Sequence, residues 1–295
     1  MKKDEKWKSL ISKFLEDFLS FFMPELYQEI DFEKAYEFLD GELNRIKIKS
    51  KAKNRRSDKL VKIYLKDGSE KYILIHIEVQ GYFDEAFADR MFTYYYRISD
   101  LHSTRDITSI SIFVDEDKQF HPNKFENNLF GTEVYYKYNT YKVLEQKEKE
   151  LKKSDNIFAF VVLTTLYSLK AKDNQKKKFD FKLKLTKILS KKNYSNETIV
   201  ELFEFLDLLL SFKSEKLEIL FYKEFNKMSN LKEKEVMGSF SKFLLKKGKK
   251  ETIIEIVLNG NKEGASNEFL SKITKLSIKE VEEILKNAPR QEKEE

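Results

Sequence analysis

The sequence predicts a mixed α/β domain followed by an α-helical domain. An Asp-Gly turn at residues 66–69 joins two strand-like runs, residues 58–65 and 71–80, as in a β-hairpin. Two more runs, residues 107–114 and 133–143, are rich in β-branched and aromatic residues and predict a third and a fourth strand. The second half of the chain repeats its apolar residues at helical spacing instead. A mixed sheet flanked by helices is therefore expected first, and a helical domain after it.

Helices are predicted before the hairpin. Residues 7–22 carry apolar side chains at i, i+3, i+4 and i+7 spacing, and Pro24 follows the end of this amphipathic helix. A second helix is predicted over residues 31–46, where Glu42 falls inside the apolar arc. A carboxylate that leans toward a core needs a charged partner or a metal ion.

The segments on either side of the hairpin complete the first domain. Residues 48–57 are polar and basic and predict a loop or an edge strand. Residues 84–101 predict a helix between the second and third strands, with its aliphatic and aromatic residues turned inward. The order over residues 20–143 is then α–β–β–α–β–β, which is typical of a mixed α/β unit. We place this domain at residues 1–150.

The second domain is expected to be helical throughout. Its predicted helices span residues 156–171, 179–191, 196–212, 214–228, 233–247 and 250–259. Residues 266–287 predict two short helices, and Ser277 with Glu280 forms a capping box at the second. Their spacing suits a helix-turn-helix, although two capped helices are common in any helical domain. We place this domain at residues 151–288, followed by a disordered tail at 289–295.

Composition limits the chemistry. The 295 residues include no cysteine and three histidines, so neither a disulfide framework nor a thiolate or histidine-rich metal site is expected. Any metal ion would be held by carboxylate oxygens, which favours Mg²⁺ or Mn²⁺. No apolar run reaches the roughly 20 residues of a membrane span and no signal peptide is recognisable, so a cytoplasmic protein is expected. The net charge of +6 permits nucleic-acid binding without demonstrating it.

A carboxylate and an amide close the second strand of the hairpin. Glu78 and Gln80 are two residues apart, so their side chains project to the same side of the strand. Asp58 begins the preceding strand, and an antiparallel hairpin places the two strand ends side by side. Asp58 and Glu78 can therefore hold a divalent cation, with the backbone carbonyl of Val79 near the same spot. The plain alternative is a cross-strand polar pair at the solvated end of a hairpin.

Three stretches in this order carry a resemblance to a known family. Within residues 38–100 they are FLDGELNRI, RRSDKLVKIYLKDGSEKYILIHIEVQ and ADRMFTYYYRISD. This part resembles the recombination-promoting nuclease (Rpn) and transposase-like proteins of the PD-(D/E)XK nuclease superfamily. The C-terminal NKEGASNEFLSKITKLSIKEVEEIL also resembles the tail of many such proteins. The resemblance implies a PD-(D/E)XK, restriction-endonuclease-like core and a magnesium-dependent activity that cuts DNA.

The resemblance also implies roles for four residues. Asp58 takes the place of the superfamily's first acidic residue, and Glu78 takes the place of the second. Gln80 stands where the name-giving lysine would be, and Glu42 matches an acidic residue that some members add from the first helix. A lysine would bring positive charge to the attacked phosphate, whereas glutamine can orient a water molecule but adds no charge. The Rpn-like proteins share this glutamine, so the difference alone does not argue for inactivity.

Four further residues are candidates for DNA contact. Arg90 and Tyr94 are four apart on a predicted helix and share a face, where the arginine could hold a phosphate bidentately. The alternative is an ordinary surface arginine beside a core tyrosine. Arg55 and Arg56 precede the first hairpin strand and could grip the DNA backbone, or could belong to a solvated loop.

The sequence therefore predicts a magnesium-dependent DNA endonuclease, in which Mn²⁺ can substitute for Mg²⁺. DNA is the expected partner, with no membrane and no small-molecule cofactor, and a homodimer would make cutting both strands easier. One alternative is an inactive nuclease fold that acts as a DNA- or protein-binding module. Another is a scaffold protein whose helical half makes the interface. Roles in recombination, element mobility and defence all stay open.

Overall fold

The structure is a computed structural model of the chain. It describes residues 3–41, 59–78, 86–214 and 250–286, together with several positions between 216 and 224. The chain divides into two compact units, Met1–Leu169 and Lys170–Glu295. The sequence suggested a boundary after residue 150, and the roles predicted for the two parts stay predictions.

The first unit is mixed α/β. Its helices are α1 (Lys3–Lys13), α2 (Leu15–Phe22), α3 (Pro24–Glu29), α4 (Phe87–Leu101), α5 (Glu148–Lys153) and α6 (Ile157–Ala171), with a 3₁₀ turn at Val143–Glu145. Its strands are β1 (Glu37–Phe38), β2 (Lys59–Tyr64), β3 (Glu70–Glu78), β4 (Ile107–Phe113), β5 (Lys124–Leu129), β6 (Thr132–Lys137) and β7 (Asn139–Lys142).

One sheet organises this unit, with the strand order β1–β2–β3–β4–β7. Strand β2 is antiparallel to both of its neighbours, whereas β3, β4 and β7 run parallel to one another. A parallel pair needs a crossover connection, and α4 supplies it between β3 and β4. The carboxyl ends of the three parallel strands therefore meet at one edge of the sheet.

The predicted hairpin is present as β2 and β3. Lys59 pairs with Ile75 at one end of the ladder and Tyr64 with Glu70 at the other. At the turn, Asp67 Oδ1 accepts a hydrogen bond from the Ser69 backbone N–H at 2.8 Å. Gly68 has φ +86°, a conformation that glycine adopts without steric cost. The Asp-Gly pair thus sets the register of the two strands that frame the candidate site.

Helix α4 covers one face of the sheet. Its apolar residues Phe87, Met91, Tyr94 and Ile98 are buried and recur at helical spacing, as predicted. They share one core cluster with Leu39, Leu60, Phe113, Phe120 and Tyr138. Each large apolar side chain buried in this way contributes about 1.5–3 kcal/mol. This packing holds the crossover helix against β2 and β4.

The helix predicted over residues 31–46 is wrong in its first part. Residues 31–39 are not helical, and Glu37–Phe38 instead pairs with β2 as a short edge strand. The Leu39 N–H donates to the Leu60 carbonyl at 2.7 Å, so the segment satisfies the open edge of β2. Pairing with an existing strand outweighed the amphipathic pattern. Residues 42–46 lie outside the described residues.

The helix predicted over residues 7–22 is present as two helices, α1 and α2, separated at Phe14. This residue has φ −129° and interrupts the helical backbone. Pro24, predicted to follow a helix end, also begins α3 at its first position, where a missing N–H costs no hydrogen bond.

The fourth strand predicted over residues 133–143 is also wrong. The segment forms two strands in different sheets, because β6 pairs with β5 and β7 pairs with β4. Tyr138 separates them, and its N–H donates to the Asn123 carbonyl at 3.0 Å. Strand β5 was not predicted, because its sequence, KFENNL, is mostly polar.

The second unit is helical where it is described. Its helices are α7 (Gln175–Leu189), α8 (Asn196–Leu209), α9 (Lys250–Lys262), α10 (Asn267–Thr274) and α11 (Ile278–Lys286). The helix predicted at 233–247 and the tail at 289–295 lie outside the described residues. Between α10 and α11, Glu280 Oε2 accepts from the Ser277 N–H at 2.7 Å, which confirms the capping box.

A buried cation links the helices of the second unit. Lys182 Nζ donates to Asp207 Oδ1 at 2.9 Å and lies 4.4 Å and 4.7 Å from the ring centroids of Phe212 and Phe221. The paired carboxylate and the two ring faces compensate the desolvated ammonium. This pair is a structural feature, remote in sequence from the candidate site.

The β5–β6 turn makes a test of backbone strain. Phe130 and Gly131 form a two-residue loop in which both φ angles are positive, +46° and +83°. Such turns favour asparagine at the first position, because a bulky residue with positive φ is strained by about 1–2 kcal/mol. We expect Phe130→Asn to raise the free energy of unfolding by about 0.5–1 kcal/mol, measured by calorimetry. Gly131→Ala should lower it, and a destabilised Phe130→Asn variant would contradict the assignment of the turn.

Alkaline unfolding tests the packing of Tyr136 on β6. Burial raises the pKa of this phenol to about 12, although the hydrogen bond to Ser109 acts in the opposite direction. The folded chain then holds the proton more tightly than the unfolded chain, so the stabilisation present below about pH 10 is lost as pH rises toward 12. Phenylalanine has no phenol to ionise, so the urea midpoint of Tyr136→Phe should fall less steeply than that of the wild type between about pH 10 and pH 12. Tyr135→Phe, an exposed neighbour, should behave like the wild type.

Candidate functional site

The candidate site is the edge where the parallel strands end. Glu78, the last residue of β3, pairs with Phe113 of β4, and Phe113 pairs with Lys142 of β7. Strand β2 begins at Lys59, opposite Ile75, so the chain enters β2 beside the last residues of β3. In open α/β sheets, ligands bind at the carboxyl ends of parallel strands. The backbone thus places the end of β3 where a ligand site is expected.

Some of the predicted site residues fall inside the described part of the chain. The structure gives the backbone position of Glu78 and full positions for Arg90 and Tyr94. The others lie outside the described residues and stay predictions: Glu42, Arg55, Arg56, Asp58, Val79 and Gln80.

Arg90 and Tyr94 are both buried on the inner side of α4. Arg90 is 9 % exposed, and its guanidinium carbon lies 5.1 Å from the ring centroid of Phe87. Tyr94 belongs to the core cluster, as the alternative interpretation expected. The same interpretation took Arg90 for a surface residue, and its burial contradicts that part. Because Arg90 is buried, its guanidinium can contact only a ligand that itself reaches the interior of the first unit.

Two charged residues at this edge were missed by the sequence analysis. Asp115 follows β4 and is 2 % exposed, and Lys142 ends β7 and is 4 % exposed. Lys142 Nζ donates to Asp115 Oδ1 at 2.7 Å and to the Phe120 carbonyl at 3.0 Å. The ammonium also lies 5.5 Å from the ring centroid of Phe113. The pair is therefore a desolvated ion pair, held in place by well-formed hydrogen bonds.

One oxygen of this pair is orphaned. Asp115 Oδ1 accepts from Lys142 and also from the Asp117 backbone N–H at 2.9 Å. Asp115 Oδ2 is buried and has no hydrogen-bond partner within the described part of the chain. Burying a carboxylate oxygen without a hydrogen-bond donor or a cation costs free energy. A ligand bound to Asp115 Oδ2 would therefore stabilise the folded chain.

Tyr138 is a second polar residue that the sequence did not single out. Its hydroxyl is buried and has no hydrogen-bond partner among the described residues. Burial raises the pKa of Tyr138 well above the usual range, while the charge of Arg90 acts in the opposite direction. The phenol is therefore neutral under ordinary conditions and keeps an unused donor near the α4 guanidinium.

Asp115 carries a weak signal in the sequence, and Lys142 carries none. Asp115 directly follows the apolar run ISIFV, where a strand ends and a carboxylate could mark a site. It also begins the polar run DEDK, a pattern that is equally typical of a solvated loop. Lys142 lies in a strand-like segment in which a lysine normally faces solvent. Only the tertiary pairing of β4 with β7 reveals the two as partners.

Another carboxylate approaches the start of β2. Asp40 Oδ2 accepts from Lys59 Nζ at 2.6 Å, and this ammonium lies 4.6 Å from the ring centroid of Phe38. Asp40 immediately follows the edge strand β1 and Leu39, rather than lying inside a long helix. One oxygen of this carboxylate thus forms an ion pair next to the point where the chain enters β2, while Oδ1 is buried without a hydrogen-bond partner among the described residues.

No ready-made metal cluster is present within the described residues: no group of three or more His, Cys, Asp or Glu side chains there could hold a metal ion. Any such site must draw on residues beyond the described part. Among the described helices, none is both long and apolar enough to cross a membrane.

The second helix of the predicted helix-turn-helix has an acidic exposed side. On α11, Glu280, Glu282 and Glu283 are exposed, against the exposed lysines Lys279 and Lys286. A helix that enters a DNA groove lies close to phosphates and normally carries basic residues. This charge pattern disfavours DNA reading by α11.

A family model matches the first unit. Residues 11–117 match the family described as "Putative transposase, YhgA-like". The match runs from α1 to just beyond β4, so it includes the hairpin, α4 and Asp115. This part of the chain is similar to transposase-like proteins, which confirms the transposase-like part of the resemblance. No curated protein and no solved structure matches the chain.

Substitutions in the buried Lys142–Asp115 ion pair test its contribution to stability. Lys142→Met leaves the Asp115 carboxylate buried without its cation, and we expect a loss of about 3–5 kcal/mol in the free energy of unfolding. Combining Lys142→Met with Asp115→Leu should restore most of this loss, because no uncompensated charge then remains. Urea unfolding measures both. Lys137→Met, an exposed lysine on the neighbouring β6, is the matched control and should change stability by less than about 0.5 kcal/mol.

Proposed function

We propose that this protein is a magnesium-dependent DNA endonuclease with a PD-(D/E)XK-like core in its first unit. One observation carries the proposal. The hairpin and the crossover helix put Glu78 at the carboxyl end of a parallel strand, beside the entry into β2 that directly follows Asp58. This arrangement lies within the stretch that is similar to transposase-like proteins. The observed mixed sheet with helices on it also agrees with the core that the resemblance implies.

The residues of the edge fit a hard divalent cation. Asp58 and Glu78 would supply carboxylate oxygens and Val79 a carbonyl oxygen, the donors that Mg²⁺ and Mn²⁺ prefer. Asp115 Oδ2, a buried carboxylate oxygen without a hydrogen-bond partner among the described residues, supports the proposal of a cation at this edge. When bound, the cation would lower the pKa of a water molecule and stabilise the charge that develops on the attacked phosphate.

The remaining predicted residues would assist in positioning. Gln80 would orient the attacking water through its amide, and Glu42 would support the carboxylates. Arg55 and Arg56 would bind the DNA backbone ahead of β2. Arg90, with Tyr94 one helical turn away, would add a positive charge near the phosphate. A homodimer would bring two such sites together for cutting both strands.

A DNA- or protein-binding module is the second candidate function. The feature that favours it is Gln80, which cannot titrate and brings no charge to a phosphate. Lys142, which ends β7 at the same edge, binds Asp115 and does not replace the missing charge. A glutamine in place of the lysine agrees equally with a slow enzyme, or with one that becomes active only when a partner binds.

Plasmid cleavage tests the nuclease proposal. We expect the full-length chain to nick or linearise supercoiled plasmid with Mg²⁺ or Mn²⁺, and Glu78→Gln to lose on the order of 100-fold or more of the rate. The matched control is Glu70→Gln, an exposed glutamate at the opposite end of the same strand, which should retain full activity.

The outcomes separate the two candidate functions. Circular dichroism establishes that both variants are folded. DNA binding without cleavage by the wild type, at several DNA topologies and with both metal ions, would favour the binding module. Equal cleavage by the wild type and Glu78→Gln would place the activity elsewhere or in a contaminant, and the proposed site would be wrong.

A further inference from the structure

Asp115 follows the strand that pairs with β3. Glu78 pairs with Phe113, and Asp115 lies two residues beyond Phe113, just past the end of β4. Neighbouring strands lie about 4.8 Å apart and two residues of chain span at most about 7 Å, so the two Cα atoms lie within roughly 12 Å of each other. Residues at this separation can place ligands on one ion. The sheet thus brings a second carboxylate to the edge where β3 ends.

The hydrogen bonds of Asp115 leave one oxygen for a ligand. Lys142 Nζ and the Asp117 N–H both bind Oδ1, at 2.7 Å and 2.9 Å. A carboxylate that served only the ion pair would gain from using both oxygens, since each buried one needs a donor. Here the side chain is fixed by one oxygen and Oδ2 stays without a partner among the described residues.

We propose that Asp115 is a ligand of the divalent cation at this edge, through Oδ2, and that Lys142 is the positioning residue that fixes its orientation. The inference rests on the proposed function and adds a residue to its metal site. Lys142 also balances the charge. The Asp115–Lys142 pair is neutral overall, so Asp115 would add an oxygen ligand to this edge without adding net charge.

Metal binding without DNA tests this inference. Isothermal titration of Mn²⁺ into the full-length chain measures affinity independently of cleavage. We expect Asp115→Asn to weaken Mn²⁺ binding by about 10–100-fold. The amide keeps the size of the side chain and can still accept from Lys142. The matched control is Asp207→Asn, which removes the same charge from the other buried lysine pair, that of Lys182, and should bind Mn²⁺ like the wild type.

A second variant guards against loss of folding. Asp115→Asn with Lys142→Met leaves no buried charge uncompensated, so it should stay folded by circular dichroism and still bind Mn²⁺ about 10–100-fold more weakly. If Asp115→Asn unfolds, the Mn²⁺ affinity of the double variant tests the role of Asp115 instead.

The contrary outcomes are distinguishable. Wild-type affinity in the folded Asp115 variants, with Mn²⁺ binding lost in Glu78→Gln, would overturn the role of Asp115 and leave the proposed function standing. Equal weakening in Asp207→Asn would show a general effect on folding and would also overturn it. A wild type that neither binds Mn²⁺ nor cuts DNA would overturn the inference together with the proposed nuclease function.

Discussion

The parallel pairing of β3 with β4 is the constraint on which the first unit depends. The pair can form only because α4 carries the chain back across the sheet, and α4 stays there because Phe87, Met91 and Tyr94 are buried against it. The pairing sets Glu78 opposite Phe113, and through Phe113 opposite Lys142. Among the described residues, the backbone positions of Glu78 and Lys142 at the carboxyl edge thus follow from hydrophobic packing on the face of the sheet.

A buried ion pair at such an edge needs a reason beyond stability. Replacing one by apolar residues of similar volume is often neutral or stabilising, because desolvation offsets the attraction between the charges. The Lys142–Asp115 pair also leaves Asp115 Oδ2 without a partner within the described residues, which adds to its cost. The pair of Lys182 in the second unit differs, since two aromatic rings surround that ammonium. A costly pair of this kind at the carboxyl edge of parallel strands supports the proposal that this edge binds a ligand.

The sequence predicted those parts of the fold that local chemistry determines. The Asp-Gly turn sets the hairpin, and the spacing of Phe87, Met91 and Tyr94 sets α4. The predictions from sequence were wrong where pairing with a strand distant in the chain determines the structure. Residues 31–39 look amphipathic yet complete an edge of β2, and one apparent strand at 133–143 is divided between two sheets. For the site, the apolar run that predicted the second hairpin strand also placed Glu78 near its end, and Glu78 is the last residue of β3. Asp115 and Lys142 could not be found this way, since each is recognisable only from its partner on another strand.

The charge balance of the edge bears on how a phosphate could be attacked there. Gln80 contributes no charge, and the ammonium of Lys142 is 2 % exposed and directed at Asp115. In the proposed nuclease, positive charge for the phosphate would therefore come from the cation itself, from Arg90 inside the unit, or from Arg55 and Arg56 ahead of β2. In the proposed site, the carboxylates of Asp58 and Glu78 would repel DNA phosphates until a cation binds. Cation binding would then precede productive DNA binding, so the metal would control access to the site as well as the chemistry.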